Sequence, residues 1–292
     1  MKIGLNNNLS ISCSKCESGE LLSFAIKRNN STSLHDINKC RSCDNSFTYL
    51  DGIIHTYCSE HPFSALDFVS NIIEYNTCDI TIGTPKVIVL TQTVPIFHKV
   101  FLSKQDKFYF SSPIYDNNKS SFTILSSEVI RESGETTNED YFGKFGDVVK
   151  ISWMVYGRTK ELKTEPWKQL LVQSKEEYIN EKYLLSFLSV AIALESYINS
   201  KIVENLSSRK IDEKSIDIFL KESNMVDKAF VLFKSLLSID PVEVGNLSRS
   251  SFTKIIEKRN KIAHGKIVNV EKHEVKDVFN AVITFIMYIE NS

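Results

Sequence analysis

Four cysteines constrain this chain more than any other feature. They stand as Cys13-Ser-Lys-Cys16 and Cys40-Arg-Ser-Cys43, two Cys-x-x-Cys pairs with 23 residues between them. Two residues between thiolates let one tight turn present both sulfurs to the same ion, and two such turns complete a tetrahedral four-sulfur shell. A segment so short has little apolar material for a core, so a metal would supply much of its folding free energy. Disulfides are the competing use and belong to exported proteins. Residues Met1 to Ser10 are rich in Asn and lack the basic start and continuous apolar stretch of a secretory signal, so export is not expected and a cytoplasmic location is. A redox dithiol is the other alternative. It normally shows one pair beside a βαβ pattern, and none is visible here.

Over residues 1–45 this arrangement resembles the zinc-ribbon family of metal sites, which implies a structural zinc held by Cys13, Cys16, Cys40 and Cys43. Four thiolates leave no open coordination position, so the ion is expected to be catalytically inert. Ribbons sometimes also contact nucleic acid or protein, and Lys15, Lys39 and Arg41 lie close to the cysteines; solvated surface charge is the plainer account of them. Cys58 and His61 have ligand chemistry at two-residue spacing, with His55 nearby. No second pair follows downstream, so a buried thiol at a strand end and surface imidazoles are expected there.

From residue 46 to 157 the apolar runs are short and rich in β-branched and aromatic residues: Phe47–Leu50, Ile53–Tyr57, Lys86–Leu90, Phe97–Leu102, Phe108–Phe110, Phe122–Leu125 and Val148–Tyr156. These predict strands. Asp51-Gly52 between two of them is a hairpin signal, because Gly supplies positive φ without steric cost. Ser64 ahead of Leu66, Phe68, Val69, Ile72 and Ile73 predicts one amphipathic helix with Ser64 as its cap. Glu132–Asp140 reads as an exposed loop. No named fold follows for this region.

After Tyr156 the period becomes helical and stays so. Pro166 suits a first helical turn, and Trp167, Leu170, Leu171 and Ser174 begin a stripe there. Tyr183, Leu184, Phe187, Leu188, Ala191, Leu194, Tyr197 and Ile198 form a long core helix. Further stripes centre on Ile216–Leu220, Val226–Leu237, Phe252–Ile262 and Val275–Ile289, with Asp240-Pro241 and Gly245 separating the third from the fourth helix. Each stripe must bury itself against neighbours, so a helical bundle is the natural outcome. The apolar windows Leu184–Ile198 and Val278–Ile289 fall short of the roughly 20 residues of a membrane helix, so no membrane association is expected. No internal repeat is visible.

The last feature is Glu257-Lys258-Arg259-Asn260-Lys261-Ile262-Ala263-His264-Gly265. It resembles the signature of the HEPN superfamily, an Arg followed after four to six residues by a His, often with a polar residue directly after the Arg. The resemblance extends over roughly residues 150–292. It includes Pro166-Trp167-Lys168-Gln169-Leu170-Leu171 and Ala191-Ile192-Ala193-Leu194-Glu195-Ser196-Tyr197, where a long helix carries an acidic residue, Glu195. It implies a homodimeric, metal-independent endoribonuclease with Arg259, Asn260, His264 and Glu195 in its catalytic site, serving as a toxin or antiphage effector under a regulatory protein or phage trigger. In a subgroup silenced by nucleotide addition a Tyr lies two residues after the His; here that position is Lys266, which argues against such control.

The chemistry can be argued without the family. Metal-independent RNA cleavage needs a base for the 2′-OH, an acid for the leaving oxygen and a cation for the charge developing on phosphorus oxygens. His264 can exchange a proton near neutral pH, Arg259 offers a fixed cationic fork, and Asn260 can orient either. Five residues of ideal helix set Arg259 and His264 roughly 140° apart, so they do not share a face. The conflict eases if the helix ends at His264 with Gly265 in the left-handed capping conformation, and further in a dimer that pairs two motifs. The bland alternative is a helix terminus with a cation and an imidazole near the negative end of the dipole.

The whole chain carries a formal net charge of -1, which gives no global pull toward nucleic acid. Between Arg249 and Lys276, however, eight cations face three carboxylates, a local balance of +5, and Lys258, Lys261 and Lys266 flank the motif as candidate RNA contacts. The expected fold class is therefore α+β multidomain: a zinc ribbon (1–45), a β-rich domain (46–157) and an all-α HEPN-like helical bundle (158–292). A non-catalytic module binding RNA or a partner protein is the alternative function.

Overall fold

The computed structural model describes residues 10–30, 33–59, 65–104, 107–111, 114–115, 120–124, 145–240, 242 and 247–291. The chain forms two compact units, one made of Met1–Phe68 with Thr164–Ser292 and the other of Val69–Lys163. The expected breaks after residues 45 and 157 are thus displaced to 68/69 and 163/164. The cysteine segment belongs with the helices, and the β-rich unit is inserted between the two halves of that body.

The first unit opens with two copies of one pattern. Strands β1 (Ser10–Ser12) and β2 (Gly19–Leu21) form a hairpin around the first cysteine pair, followed by α1 (Leu22–Asn29). Strands β3 (Ile37–Lys39) and β4 (Ser46–Thr48) do the same around the second, followed by α2 (Tyr49–Cys58). Every boundary up to the start of the helix recurs 27 positions later. This is an internal repeat after all. It escapes sequence inspection because, between residues 10 and 29, only Cys13, Cys16 and Ile26 have identical counterparts at that offset.

Helix α2 corrects the expectation of strands joined at Asp51-Gly52. Thr48 accepts a hydrogen bond from the Asp51 amide, and Asp51 accepts one from the Thr48 amide, a capping box that starts a helix. Leu50, Ile53 and Tyr57 then fall on one buried face at helical spacing. Gly52 serves packing, since a Cβ there would come within 2.7 Å of the Phe47 ring.

The remaining elements of this unit are helical, as the period predicted: α3 (Pro166–Ile179), α4 (Tyr183–Ser208), α5 (Glu213–Glu222), α6 (Met225–Asp227), a π-turn (Lys228–Leu232), α7 (Phe233–Leu237), α8 (Arg249–Ala263) and α9 (Lys272–Asn291). Pro166 opens α3 at its first turn. A line of ring contacts runs through the core from Tyr57 to Phe68, Trp167, Tyr197, Phe285 and Phe233, with centroids 4.7 to 6.1 Å apart. Such contacts add roughly 0.5–1.5 kcal/mol each beyond burial. They join α2 to the helices far downstream in sequence. Helix α4, at 26 residues, is long and apolar enough to cross a membrane by length and composition, and half of its apolar window is buried in the unit, as in a central core helix.

In the second unit β5 (Ile72–Thr81), β6 (Lys86–Val89), β7 (Ile96–Lys104), β8 (Lys107–Ser111), β9 (Ile114–Tyr115), β10 (Ser121–Ile124) and β11 (Val148–Arg158) form sheets ordered β5-β11-β7-β8 and β6-β10-β9, antiparallel throughout. The two sheets share one core, with Ile88 and Phe122 from one and Ile80, Val100 and Trp153 from the other, as in a two-sheet sandwich. Phe122 meets Trp153 edge-on across it at 5.6 Å. The helix expected over Leu66–Ile73 is replaced by a single 3-10 turn at Leu66–Phe68, and Ile72 and Ile73 open β5 instead. Ten consecutive pairings with β11, from Ile72–Gly157 to Thr81–Val148, outweigh that local pattern. The expected loop Glu132–Asp140, and Ser64, Pro241 and Gly245, lie outside the described residues.

Candidate functional site

The repeated hairpins bring the four cysteines together. Their sulfurs all lie within 4.8 Å of one another, with Cys13 to Cys43 at 3.6 Å and Cys16 to Cys40 at 3.5 Å. A tetrahedron of Zn–S bonds of ~2.3 Å has edges of about 3.8 Å, so the donor set fits one ion of that kind. Each turn is built alike. The Glu17 amide donates to the Cys13 carbonyl at 2.8 Å and the Asp44 amide to Cys40 at 3.0 Å, and both residues take left-handed backbone, with φ of 60° and 59°. The Lys15 and Ser42 amides each point at the first sulfur of their pair at 3.4 Å.

As a thiol, Cys40 is held down to about 6, chiefly by the Ser18 hydroxyl and then by the Ser42 amide. Cys43 is pushed up to about 12: the Asn45 amide lowers it, but burial and the three neighbouring sulfurs outweigh that bond. The two repeats are tied by buried Asn38, whose Oδ1 accepts from Arg28 at 3.0 Å and from Asn29 at 2.9 Å. Lys39 pairs with Asp44 and Arg41 with Glu20, so two of the three cations near the cysteines already have carboxylate partners.

Cys58 ends α2, not a strand. Burial pushes its thiol up to about 12, against the pull of Lys175 and Lys276, which makes it a poor ligand and nucleophile. It lines a small cavity with Lys175, Tyr178 and Phe279. His61 lies outside the described residues.

The other candidate residues sit on α4 and α8. Helix α8 runs to Ala263, His264 is its C-cap, and Gly265 is left-handed at φ +68°. The Gly265 amide donates to Ile262 at 2.9 Å and the Lys266 amide to Lys261 at 2.8 Å, the paired bonds of a Schellman cap. This is the helix ending anticipated from the spacing. It leaves the His264 side chain exposed.

Arg259 turns the other way, toward α4. Its Nη2 donates to Glu195 Oε2 at 3.3 Å and its Nη1 to Asn260 Oδ1 at 2.9 Å. Its Nε is buried and has no partner among the described residues. Burial lifts the Glu195 carboxyl above its ordinary value, while Arg259 and then Lys228 pull it down. Arg259, Asn260 and Glu195 are therefore brought together. Among the described residues no hydrogen bond or ion pair joins the His264 side chain to them.

Of the candidate RNA contacts, Lys261 and Lys266 are exposed and form no ion pair among the described residues. Lys258 is engaged within the fold: it pairs with Glu274 and lies 5.3 Å from the Phe187 ring centre. Lys228, which sequence reasoning did not single out, is 7% exposed and electrostatically linked to Glu195. A lysine within an apolar helical stripe was the available signal. Comparison with protein-family models, curated proteins and solved structures finds no match.

Proposed function

We propose that this protein is a metal-independent endoribonuclease of HEPN type, acting through Arg259 and His264 with Asn260 and Glu195 in support. The observation that carries the reading is the α8 terminus. A Schellman cap ends the helix so that His264 faces solvent, while one turn back a half-buried Arg259 is oriented by Glu195 and Asn260. Arg259 then offers the cation for a developing phosphorane charge, and His264 the proton-transfer group. Exposed Lys254, Lys261 and Lys266 supply attraction for the RNA backbone.

The separation of His264 from Arg259 within one chain supports a homodimer in which each site draws on two motifs. Leu185, Ile192 and Val203 are exposed and lie within about 20° of one line along α4, a stripe suited to a second copy. The cysteine cluster holds one structural zinc and takes no part in the chemistry. The toxin or antiphage role and its trigger follow from the resemblance alone.

The test compares wild type, His264→Ala, Arg259→Ala and Lys266→Ala on single-stranded RNA, with and without EDTA. Each of the first two variants is expected to lose about 10² to 10⁴ in rate with an unchanged melting temperature. Lys266→Ala should weaken binding mainly at low salt. Undiminished cleavage by a normally folded His264→Ala protein would sink the assignment. A second reading, a non-catalytic RNA- or protein-binding module, is favoured by the exposed position of His264, which among the described residues is bonded to no member of the Arg259, Asn260 and Glu195 group. RNA binding without cleavage would establish it.

A further inference from the structure

Ser18 and Asn45 hold equivalent places in the two cysteine repeats, and each reaches across to the other repeat. The Ser18 hydroxyl lies 3.2 Å from Cys40 Sγ, and Asn45 Nδ2 donates to Cys13 Sγ at 3.6 Å. The first cysteine of each pair thus has a backbone amide from its own turn, Lys15 or Ser42, and a side chain from the opposite hairpin. Both of these sulfurs belong to buried residues, Cys13 at 0% and Cys40 at 5% exposure. The second cysteines are served differently. Cys43 is half-buried and accepts from the Asn45 amide. Cys16 is exposed, and among the described residues the one non-sulfur partner of its Sγ is the Ser18 hydroxyl, at 3.1 Å.

A metal-bound sulfur is a thiolate, which accepts hydrogen bonds and cannot give them. Ser18 must therefore donate, and its single proton serves Cys16 or Cys40 but not both at once. A hydrogen bond draws charge from the thiolate that accepts it and makes that sulfur a poorer nucleophile. Attack at a sulfur also needs a path from solvent. Exposure and hydrogen bonding rank the four sulfurs alike, with Cys16 the most open to reaction.

We propose that Cys16 is a modification site, the sulfur through which soft electrophiles open the metal cluster, and that the Ser18 hydroxyl sets its reactivity. The inference rests on the one-zinc reading above. In the step, the Cys16 lone pair forms a sulfur–carbon bond with an electrophilic alkene such as a maleimide. The π electrons of the alkene take up a proton from water, and the zinc–sulfur bond is lost. The neutral thioether that results lacks the thiolate charge that holds the ion. Helix α2 packs against β1 of the first hairpin and against α9, so the loss of this sulfur is felt in the helices.

The decisive measurement uses the full-length protein loaded with one zinc per chain and treated with N-ethylmaleimide. Zinc release is read with a chromogenic chelator and the order of modification by peptide mapping. Cys16 is expected to react first, in step with release, at a rate proportional to the maleimide concentration. Ser18→Ala should speed both by about tenfold, the low end for loss of an outer-shell partner. Ser18→Thr keeps the hydroxyl and should keep the wild-type rate. Cys58 and Cys78 stand outside the cluster, and their peptides are read separately. Modification of Cys13, Cys40 or Cys43 ahead of Cys16 overturns the proposal, and this wild-type order decides even where Ser18→Ala does not fold. Release that is independent of maleimide concentration also overturns it, because the ion would then leave before any sulfur is attacked. So does an unchanged rate in a zinc-loaded Ser18→Ala protein. Protein that takes up no zinc overturns the metal reading as well, whereas a loaded protein that reacts in the wrong order overturns this inference alone.

Discussion

Tyr288 donates its hydroxyl to Asp51 Oδ1 at 3.0 Å, joining the last helix to the helix that follows the second cysteine pair. Asp51 also closes the capping box of α2 through its other oxygen. Helix α2 therefore has two faces in use. It packs against β1 on the side of the cysteine turns and against α9 on the side of the helices. Ser12 and Thr56 share a hydrogen bond at 3.0 Å across the first of these contacts. What holds the cysteine turns in shape thus also holds one wall of the helical body.

The first prediction follows from that shared helix. Purified protein should contain one zinc per chain, and stripping it with a strong chelator, or Cys40→Ser, should destabilise the helical part and not only the hairpins. A structural site contributes well over about 3 kcal/mol in small metal domains. A loss of about 3 kcal/mol lowers the melting temperature of a unit this size by about 6–12 °C. Helical circular dichroism during heating reads it. Less than half an equivalent of metal, or identical melting after chelation, would remove the idea.

The pH dependence of stability should carry opposite signs at two carboxylates. Burial raises Glu195 above 4.5, so its favourable contribution is full below that value and is lost as pH rises through the raised folded one. Replacing it with Gln should therefore help folding at neutral pH and matter little in acid. Glu274 is lowered, chiefly by its hydrogen bond from Lys258, so its contribution is present above 4.5 and disappears on acidification through the depressed value. Glu274→Gln should weaken the protein at neutral pH only. Urea unfolding at pH 4 and pH 7.5 compares them, and matching signs for the two variants would contradict this account.

Gly265→Ala isolates the helix cap. A Cβ at this position meets nothing within 4 Å, so the cost is that of left-handed backbone alone, roughly 1–2 kcal/mol. Melting should drop by a few degrees, and RNA cleavage should fall further than stability explains, because the last turn that presents His264 would fray. Cleavage that tracks stability alone would show that the cap does not position His264.

The sequence made some of this legible and hid the rest for identifiable reasons. Two Cys-x-x-Cys pairs and the stripe from Tyr183 to Ile198 are local patterns with one good structural solution, and both are found. The ending of α8 was readable because Gly265 follows the last periodic residue. Helix α2 was misread because Ile53, Ile54, Thr56 and Tyr57 have strand propensity and Asp51-Gly52 mimics a turn. The Thr48 to Asp51 capping pair was the stronger signal. The pairing of Glu195 with Arg259 spans 64 residues, and the division of the first unit into two sequence segments has no local signature at all.

The inserted position of the sandwich unit leads to the last prediction. Phe68 closes one segment of the first unit and Thr164 opens the other, and the Phe68 ring lies 5.9 Å from that of Trp167, three residues past Thr164. The two ends are thus close, and a flexible Gly/Ser linker of about six residues, with a typical reach of about 13 Å, is long enough to bridge them. Replacing residues 69–163 with such a linker should leave the first unit folded, because the ring contacts from Tyr57 to Phe233 and the sulfur cluster all lie outside the excised segment. The shortened protein should keep its helical circular dichroism, melt cooperatively and bind one metal. RNA cleavage retained after excision would assign the chemistry to the first unit and leave the sandwich for recognition or control. An insoluble or non-cooperative product, with the full chain behaving normally, would show that the first unit depends on the insertion to fold.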